Sequence, residues 1–213
     1  MGLDRRIFFD RVRRDLFGGR LTRGQVEGLE SVLDGWVKKR PDGQAEEEAA
    51  DALAYVLATA FHETAATMAP VRETCAASDA EAIRRLDLAF AAGRLASVKA
   101  PYWRPDAEGK SWLGRGLVQL THRRNYEAMS DLTGIDLIAD PDRAMDMDVA
   151  VTILIEGMRA GIFTGRRLGD YFRRGKADWT GARRIINGTD RAELVARHAR
   201  TFRAALRHAP VSV

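Results

Sequence analysis

The chain has 213 residues, 46% of them hydrophobic and 30% charged, with no linker or repeat, which predicts a single globular domain over residues 1–213. No apolar run approaches the roughly 20 residues of a membrane span, and the one cysteine, Cys75, excludes an internal disulfide. The net charge of +4 and an isoelectric point near 9.5 indicate an anionic partner, such as nucleic acid, an acidic membrane surface or an anionic polymer.

Helical periodicity begins at the first residues of the chain. Apolar residues at three- and four-residue spacing predict two helices within residues 1–40, which we interpret as a helical lead-in. A third, amphipathic helix contains Val56 and Glu63. We expect it to end near Met68, because Pro70 disfavours helical geometry at the residue before it.

The rest of the chain is also mainly helical. Helices are predicted over about residues 80–90, 121–133, 147–160, 168–172, 178–186 and 191–209, separated by glycines and capping residues. Residues 99–116 are predicted to form a long loop. Any β-structure should be short, at most a hairpin around residues 110–121. The predicted fold class is therefore all-α, with at most a small β-ribbon.

Arginines are dense in the first and last predicted helices. In the last helix the arginines at positions 197, 200, 203 and 207 are predicted to face largely outward. Such a basic face suits an anionic membrane surface, but it is equally the solvated face of a helix packed on the core.

Glu63 has an unusual position on the third helix. Val56 precedes it by seven residues, so the two side chains lie about 20° apart around a helix of 3.6 residues per turn. Glu63 therefore continues the apolar stripe. A carboxyl group there either pairs with one of the many arginines or has its pKa raised by desolvation. We expect the second, which would keep a proton available for general acid catalysis.

A glycine-flanked polar segment follows about fifty residues later. Gly-Arg-Gly at 114–116 precedes Gln119, Thr121 and Asn125, whose amide and hydroxyl groups are suited to holding a sugar and a water molecule. A buried carboxyl group opposite such a loop is what acid-catalysed cleavage of a glycosidic bond requires.

Other motifs are incomplete. His62-Glu63 begins a metalloprotease signature, but Ala66 occupies the place of the second histidine, so no metal is expected. Gln119 occupies the third glycine position of a dinucleotide fingerprint, so no cofactor is expected. No helix-turn-helix spacing stands out, and nucleic acid is not an expected partner.

Three motifs follow one another along the chain: His62-Glu63-Thr64, then Gly114-Arg115-Gly116 with Gln119, Leu120, Thr121, Asn125 and Tyr126, and finally Arg184-Ile185-Ile186-Asn187-Gly188. These motifs and their order resemble those of glycoside hydrolase family 19, which includes plant-type chitinases and many phage endolysins. The finer pattern, with Val71-Arg72-Glu73-Thr74 and Pro101-Tyr102-Trp103-Arg104, is similar to the phage and prophage endolysin branch. The resemblance covers about residues 50–205.

This resemblance implies a bilobal, lysozyme-like helical fold with a sugar-binding cleft. It implies inverting hydrolysis, in which Glu63 protonates the glycosidic oxygen and Glu73 is the general base for a water held by Thr121. The implied substrate-binding residues are His62, Tyr102, Trp103, Gln119, Asn125, Tyr126 and Asn187. Of these, Tyr102 and Trp103 would offer stacking surfaces to sugar rings.

The sequence departs from the family in the turn after Glu63. Chitinases of the family have glycines after the catalytic Glu-Thr, whereas Ala65 and Ala66 follow here, so we expect a differently built turn. The base is therefore the least constrained assignment. Its candidates are the acidic residues Glu73, Asp79, Glu81 and Asp106.

The preferred function is that of a muramidase-type endolysin that cleaves β-1,4 bonds in the glycan strands of peptidoglycan, as a monomer. One alternative is a chitinase, and another is a non-catalytic basic protein that binds wall or nucleic acid. The first ten residues lack the apolar core of a signal peptide. We therefore expect the protein to remain in the bacterial cytoplasm, without a stable membrane anchor, until a phage holin opens a path to the wall.

Overall fold

The computed structural model describes residues 3–39, 43, 45–96, 98–173 and 175–207, and these residues are mainly helical. The helices are α1 (Arg5–Asp15), α2 (Arg23–Lys39), α3 (Glu46–Glu63), α4 (Asp79–Ala91), α5 (Arg123–Thr133), α6 (Met147–Ala160), α7 (Leu168–Tyr171) and α8 (Ala192–Arg207). Short 3₁₀ turns occur at Glu73–Cys75, Pro141–Met145 and Gly181–Ile185. No helix in the described ranges is long and apolar enough to cross a membrane.

Two short antiparallel ribbons complete the described secondary structure. In the first, β1 (Val71–Arg72) pairs with β2 (Arg115–Gly116). In the second, β3 (Phe172–Arg173) pairs with β4 (Lys176–Ala177). A hairpin around residues 110–121 was expected. Instead, β2 in that segment pairs with β1, more than forty residues earlier in the chain. Within the segment itself there is only the isolated bridge between Arg115 and Leu120. Strands of two residues are too short to reveal their partner through periodicity.

Helix α3 is the centre of the fold. Between Ala49 and Phe61 all of its residues except Asp51 are buried, so the amphipathic stripe predicted there extends around most of the helix. Helix α8 packs along α3 in the opposite direction, since Arg207 pairs with Glu47 at one end. Arg203, predicted to face outward, instead lies in the interface and pairs with Asp51.

Helix α3 ends at Glu63, before the predicted end near Met68. Ala65 and Ala66 have left-handed φ angles of 49° and 66°, which interrupts the helix well before Pro70. Thr64 stabilises the turn, because its hydroxyl donates to Ala60 O (2.7 Å) and accepts from Met68 N (3.0 Å). The backbone conformation is one that glycine adopts easily, and here alanine adopts it.

The apolar residues form two separate cores, and this division confirms the predicted bilobal helical fold. The larger core surrounds α3 and includes Phe8 and Val12 of α1 and Leu29 and Trp36 of α2. The smaller core is formed by α4 and the following loop. Its buried members are Ala76, Ala82, Leu86, Trp103 and Leu113. We call the two regions the large lobe and the small lobe.

Candidate active site

A cleft of about 720 Å³ lies where the two lobes meet. The large lobe contributes Glu63 at the end of α3 and the segment 186–187, and the small lobe contributes residues 98–102. The polar segment between β2 and α5 contributes Gln119, Thr121 and His122. The cleft thus brings together five of the predicted site residues: Glu63, Tyr102, Gln119, Thr121 and Asn187. A cavity of about 620 Å³ beside Trp36 contains none of them.

Glu63 forms an ion pair with Arg183, whose Nη1 lies 2.6 Å from Glu63 Oε1. The side chain of Arg183 is only 3% exposed and that of Glu63 is 16% exposed. Arg183 is fixed further by donation from Nε to the backbone oxygen of Asp190 (2.9 Å). Of the two environments considered for Glu63, the structure therefore shows the arginine partner, whereas we expected an unpaired carboxyl group on the apolar stripe.

Glu73 directly follows β1 and is held at both carboxylate oxygens. The Tyr102 hydroxyl donates to Oε1 (2.6 Å), and the backbone N–H of Gly114 donates to Oε2 (2.8 Å). The backbone N–H of Glu73 also donates to Gly114 O (2.7 Å). Glu73 is therefore a half-buried, oriented carboxylate and not a freely exposed loop residue. It is not itself a lining residue of the cleft, but it adjoins the cleft through its hydrogen bond with Tyr102.

The other candidate bases have structural partners. Asp79 pairs with Arg72 and Arg115. Asp106 accepts hydrogen bonds from Trp112 Nε1 and from the backbone N–H groups of residues 108 and 110. Glu81 accepts from Ala77 N and pairs with Arg85 on the surface of α4. These contacts leave Glu73 as the acidic residue best placed to act in the cleft beside Glu63.

Gly114 is required by the side chains around it. A Cβ atom at this position would lie 2.7 Å from Gln119 Oε1, 3.2 Å from Thr121 Cγ2 and 3.3 Å from Glu73 Oε2. Gln119 is itself held by donation from Nε2 to Val71 O (3.0 Å). Three predicted site residues therefore converge on one glycine, which explains the glycine-flanked motif sterically.

The cleft segment also contains strained backbone. Gln119 and His122 have φ angles of 55° and 67°, and Thr74, next to Glu73, has a φ of 62°. Non-glycine residues in the left-handed region persist only where the surroundings impose the conformation, and such residues cluster at functional sites.

Tyr102 and His122 form an aromatic pair in the cleft, with ring centroids 4.3 Å apart. Burial, followed by the negative charge of Glu73, raises the pKa of Tyr102 well above its usual value, so its hydroxyl remains a donor. Burial, followed by the charge of Arg124, lowers the pKa of His122.

Burial contradicts the roles predicted for two aromatic residues. Trp103 is fully buried in the small-lobe core, where Nε1 donates to Asp87 Oδ1 (2.9 Å), so it offers no stacking surface to a sugar. Tyr126 is also fully buried, and its hydroxyl donates to Leu113 O (2.9 Å). Trp103 belongs to the small-lobe core and Tyr126 to the large-lobe core, so both residues have structural roles.

Two other predicted residues adjoin the cleft without lining it. Asn125 is 8% exposed, and its backbone N–H donates to His122 O (2.9 Å). His62 precedes Glu63 on α3, and burial lowers its pKa, partly offset by the charge of Glu63. Neither residue belongs to the cleft lining. Direct contact of either residue with a sugar is therefore not supported by the geometry.

Sequence reasoning missed Arg183, Arg115 and His122. Arg183 immediately precedes the Arg184–Gly188 motif, and that adjacency was the available signal. Arg115 is the arginine of the Gly-Arg-Gly motif. It is buried, donates to Ser111 O (3.0 Å) and Tyr126 Oη (3.0 Å), and pairs with Asp142 (3.0 Å). Arg115 thus fixes the loop that presents Gly114 to Glu73.

The family model of glycoside hydrolase family 19, described as chitinase class I, matches residues 42–155, more than half of the 213-residue chain. Among solved structures, the crystal structure of a chitinase C mutant is similar, with a TM-score of 0.52 and 18% sequence identity. The similarity covers 98% of this chain and 95% of that chain, and at such low identity it shows the fold alone. No curated protein matches the sequence. The chain belongs to glycoside hydrolase family 19 and is a glycoside hydrolase that cleaves glycosidic bonds.

Proposed function

We propose that the enzyme cleaves β-1,4 glycosidic bonds in the glycan strands of peptidoglycan, as a muramidase of the endolysin type with an inverting mechanism. One observation carries the catalytic part of this proposal. Glu63 ends α3 in the large lobe, while Glu73 is held by Tyr102 of the small lobe, beside the same cleft. Two carboxyl groups on either side of a glycan cleft are the requirement for acid/base glycoside hydrolysis.

Glu63 is the proposed general acid. In its protonated form Glu63 transfers a proton to the glycosidic oxygen as the bond from that oxygen to the anomeric carbon breaks, and the carboxylate that remains is the form paired with Arg183 in the structure. Arg183, 2.6 Å away, is already positioned to stabilise the charge of that carboxylate. A preorganised cation at the site of charge development lowers the barrier without reorganisation.

Glu73 is the proposed general base. It takes a proton from a water molecule as the oxygen of that water attacks the anomeric carbon from the opposite face, which inverts the configuration. The donors Tyr102 Oη and Gly114 N fix the carboxylate, and Thr121 is the cleft hydroxyl available to position the water.

The preference for peptidoglycan rests on charge and on sequence resemblance. Stem peptides and lactyl groups make peptidoglycan anionic, and the chain carries a net charge of +4. The Glu73 and Tyr102 segments resemble those of phage and prophage endolysins. The competing candidate is hydrolysis of chitin, which is favoured by the description of the matched family and by the chitinase C structure.

The product ends distinguish these candidates. Purified peptidoglycan and chitin are digested in parallel, reduced with borohydride and examined by mass spectrometry. New muramitol ends support the proposal, and glucosaminitol ends assign the other β-1,4 bond of peptidoglycan. Soluble products from chitin alone would replace the peptidoglycan proposal with the chitinase alternative.

We further propose that the enzyme acts as a monomer and is held in the bacterial cytoplasm until a separate membrane lesion releases it. The resemblance to phage endolysins supports this location. Expression in a bacterium should be harmless until chloroform or a holin is supplied. Lysis upon expression alone would contradict the proposed release.

A further inference from the structure

One cation of the cleft lining, Lys99, has no anionic partner among the residues that the structure describes. Among the described lining residues, Glu63 and Lys99 carry full charges, and the charge of Glu63 is balanced by Arg183. Lys99 is exposed, and no carboxylate within the described ranges lies at ion-pair distance from its ammonium group. The ammonium charge is therefore available to a ligand in the cleft.

Several cations elsewhere on the surface are already paired. Lys110 lies 3.3 Å from Glu108 and donates to Ile138 O, and Arg123 lies 2.9 Å from Glu127. Lys99 differs from these paired cations, because an ion pair within the protein would weaken the attraction of its ammonium group for an external anion.

The backbone that carries Lys99 is anchored on both sides. Val98 packs against the small-lobe core, and its N–H donates to Leu95 O (2.9 Å). Tyr102, three residues after Lys99, donates to Glu73. Lys99 therefore lies on the small-lobe wall of the cleft, close in the chain to the residue that holds the proposed base.

We infer that Lys99 binds a carboxylate of the stem peptide on the glycan strand and thereby favours peptidoglycan over neutral chitin. The inference rests on the proposed function, because a polymer of N-acetylglucosamine has no carboxylate. The fixed wall places a single positive charge beside the glycan, whereas the sugar-binding groups 119–122 are uncharged amide, hydroxyl and imidazole groups.

Two matched substrates test this inference. One is soluble, uncrosslinked glycan chains that bear stem peptides. The other is the same chains after carbodiimide coupling of their carboxyl groups to ethanolamine, which removes the charge and keeps the peptides. The quantity compared is the ratio of kcat/KM on charged chains to kcat/KM on amidated chains. Raising the salt concentration should lower this ratio for the unmodified enzyme, because salt screens exposed charges.

A charge series at position 99 provides the variants. We expect Lys99→Arg to keep the ratio and Lys99→Gln to lower it about two- to fivefold, within the range of an exposed ion pair. Lys99→Glu also introduces repulsion and should lower the ratio further. Lys176→Glu makes the same charge change in β4, outside the cleft lining, and should keep the ratio.

The outcomes separate the inference from the proposed function. If Lys99→Glu leaves the ratio unchanged, whether or not kcat/KM falls equally on both substrates, Lys99 does not recognise the carboxylate. That result would leave the proposed function untouched. An unmodified enzyme that cleaves chitin and neither peptidoglycan substrate would overturn the proposed function, and the inference with it.

Discussion

Arg183 and Glu63, separated by 120 residues in the chain, form an ion pair at the carboxyl end of α3. This ion pair connects α3, which carries the proposed acid, with the 3₁₀ turn Gly181–Ile185. That turn directly precedes the cleft residues 186–187. Because Arg183 is almost completely buried, water cannot replace Glu63 as its partner. The residue proposed for proton transfer therefore also contributes to stability.

Replacement of Glu63 by Gln should lower both activity and stability. We expect turnover of peptidoglycan to fall by about 10²–10⁴-fold, because the amide has no proton to donate. The melting temperature should also fall, since the buried guanidinium of Arg183 loses its anionic partner. An apolar environment for Glu63 would have predicted the opposite change in stability. Turnover and thermal unfolding measured on the same preparation test both effects.

A double variant separates the two consequences of that substitution. Adding Arg183→Met to Glu63→Gln removes the unpaired cation, so part of the lost stability should return while the activity stays as low as in Glu63→Gln. Glu127→Gln, which changes an exposed acid on α5, serves as the control and should keep full activity. Substantial activity in the Glu63→Gln enzyme would overturn the assignment of the general acid.

Replacement of Gly114 by Ala should damage the site without unfolding the protein. The new methyl group would lie 2.7 Å from Gln119 Oε1, which must shift, and 3.3 Å from Glu73 Oε2, which must give by a few tenths of an ångström while it accepts from the N–H of residue 114. We expect activity to fall at least about tenfold, since small displacements of positioned groups have large effects on rate. Gly24→Ala is the matched control, because a Cβ at that position in α2 meets nothing within 4 Å. Equal activity in both variants would contradict the proposed convergence on Gly114.

The sequence predicted the long helices well because each repeats its pattern over several turns, but the helix predicted over residues 178–186 was wrong, since only the 3₁₀ turn Gly181–Ile185 occurs there. Helix α6 occupies the predicted residues 147–160, and α4 differs from its prediction by one residue at each end. The β1–β2 ribbon could not be predicted, because its two-residue strands lie more than forty residues apart and carry no periodic signal.

The site was predicted through motifs, and motifs do not distinguish a residue that contacts substrate from one that supports it. Tyr102 and Trp103 are adjacent aromatic residues in one loop, yet Tyr102 lines the cleft and Trp103 fills the small-lobe core. Similarly, periodicity placed Glu63 on a buried helix face, but it could not identify the partner of Glu63, because 29 of the 34 basic residues are arginine. The pattern gave no means of selecting Arg183 among them.

Replacement of Ala65 by Gly should stabilise the turn after α3 or leave it unchanged. Ala65 is exposed and has a φ of 49°, a conformation that costs an L-residue about 1–2 kcal/mol and glycine little. The greater flexibility of unfolded glycine offsets about 0.4–1 kcal/mol of that gain. Ala128→Gly, in the middle of α5, should instead destabilise by at least about 0.5–1 kcal/mol. Chemical unfolding of the two variants gives the comparison, and a clear loss of stability in Ala65→Gly would contradict the left-handed turn.

Acidic pH should destabilise the fold through its half-buried histidines. Burial lowers the pKa of His198, assisted by the charges of His62 and Arg197, and burial also lowers the pKa of His62 and His122. In the unfolded chain these groups bind protons near their ordinary pKa of about 6.5. The unfolded state therefore binds more protons below that pH, and the stability present above about pH 6.5 is lost as the pH falls.

His198 allows this pH dependence to be tested at one position. Its Nδ1 is buried without a hydrogen-bond partner among the described residues, and its ring packs 4.9 Å from that of Phe61, so a neutral apolar side chain can replace it. Between pH 7.5 and pH 5.5 we expect the melting temperature of His198→Leu to fall by less than that of the unmodified protein. The reason is that the unfolded chain of the variant has one proton-binding group fewer. Phe9→Leu, an apolar change on α1, is the control for altered packing and should keep the original pH dependence. If His198→Leu and the unmodified protein lose equal stability over this range, protonation of His198 does not contribute to acid unfolding.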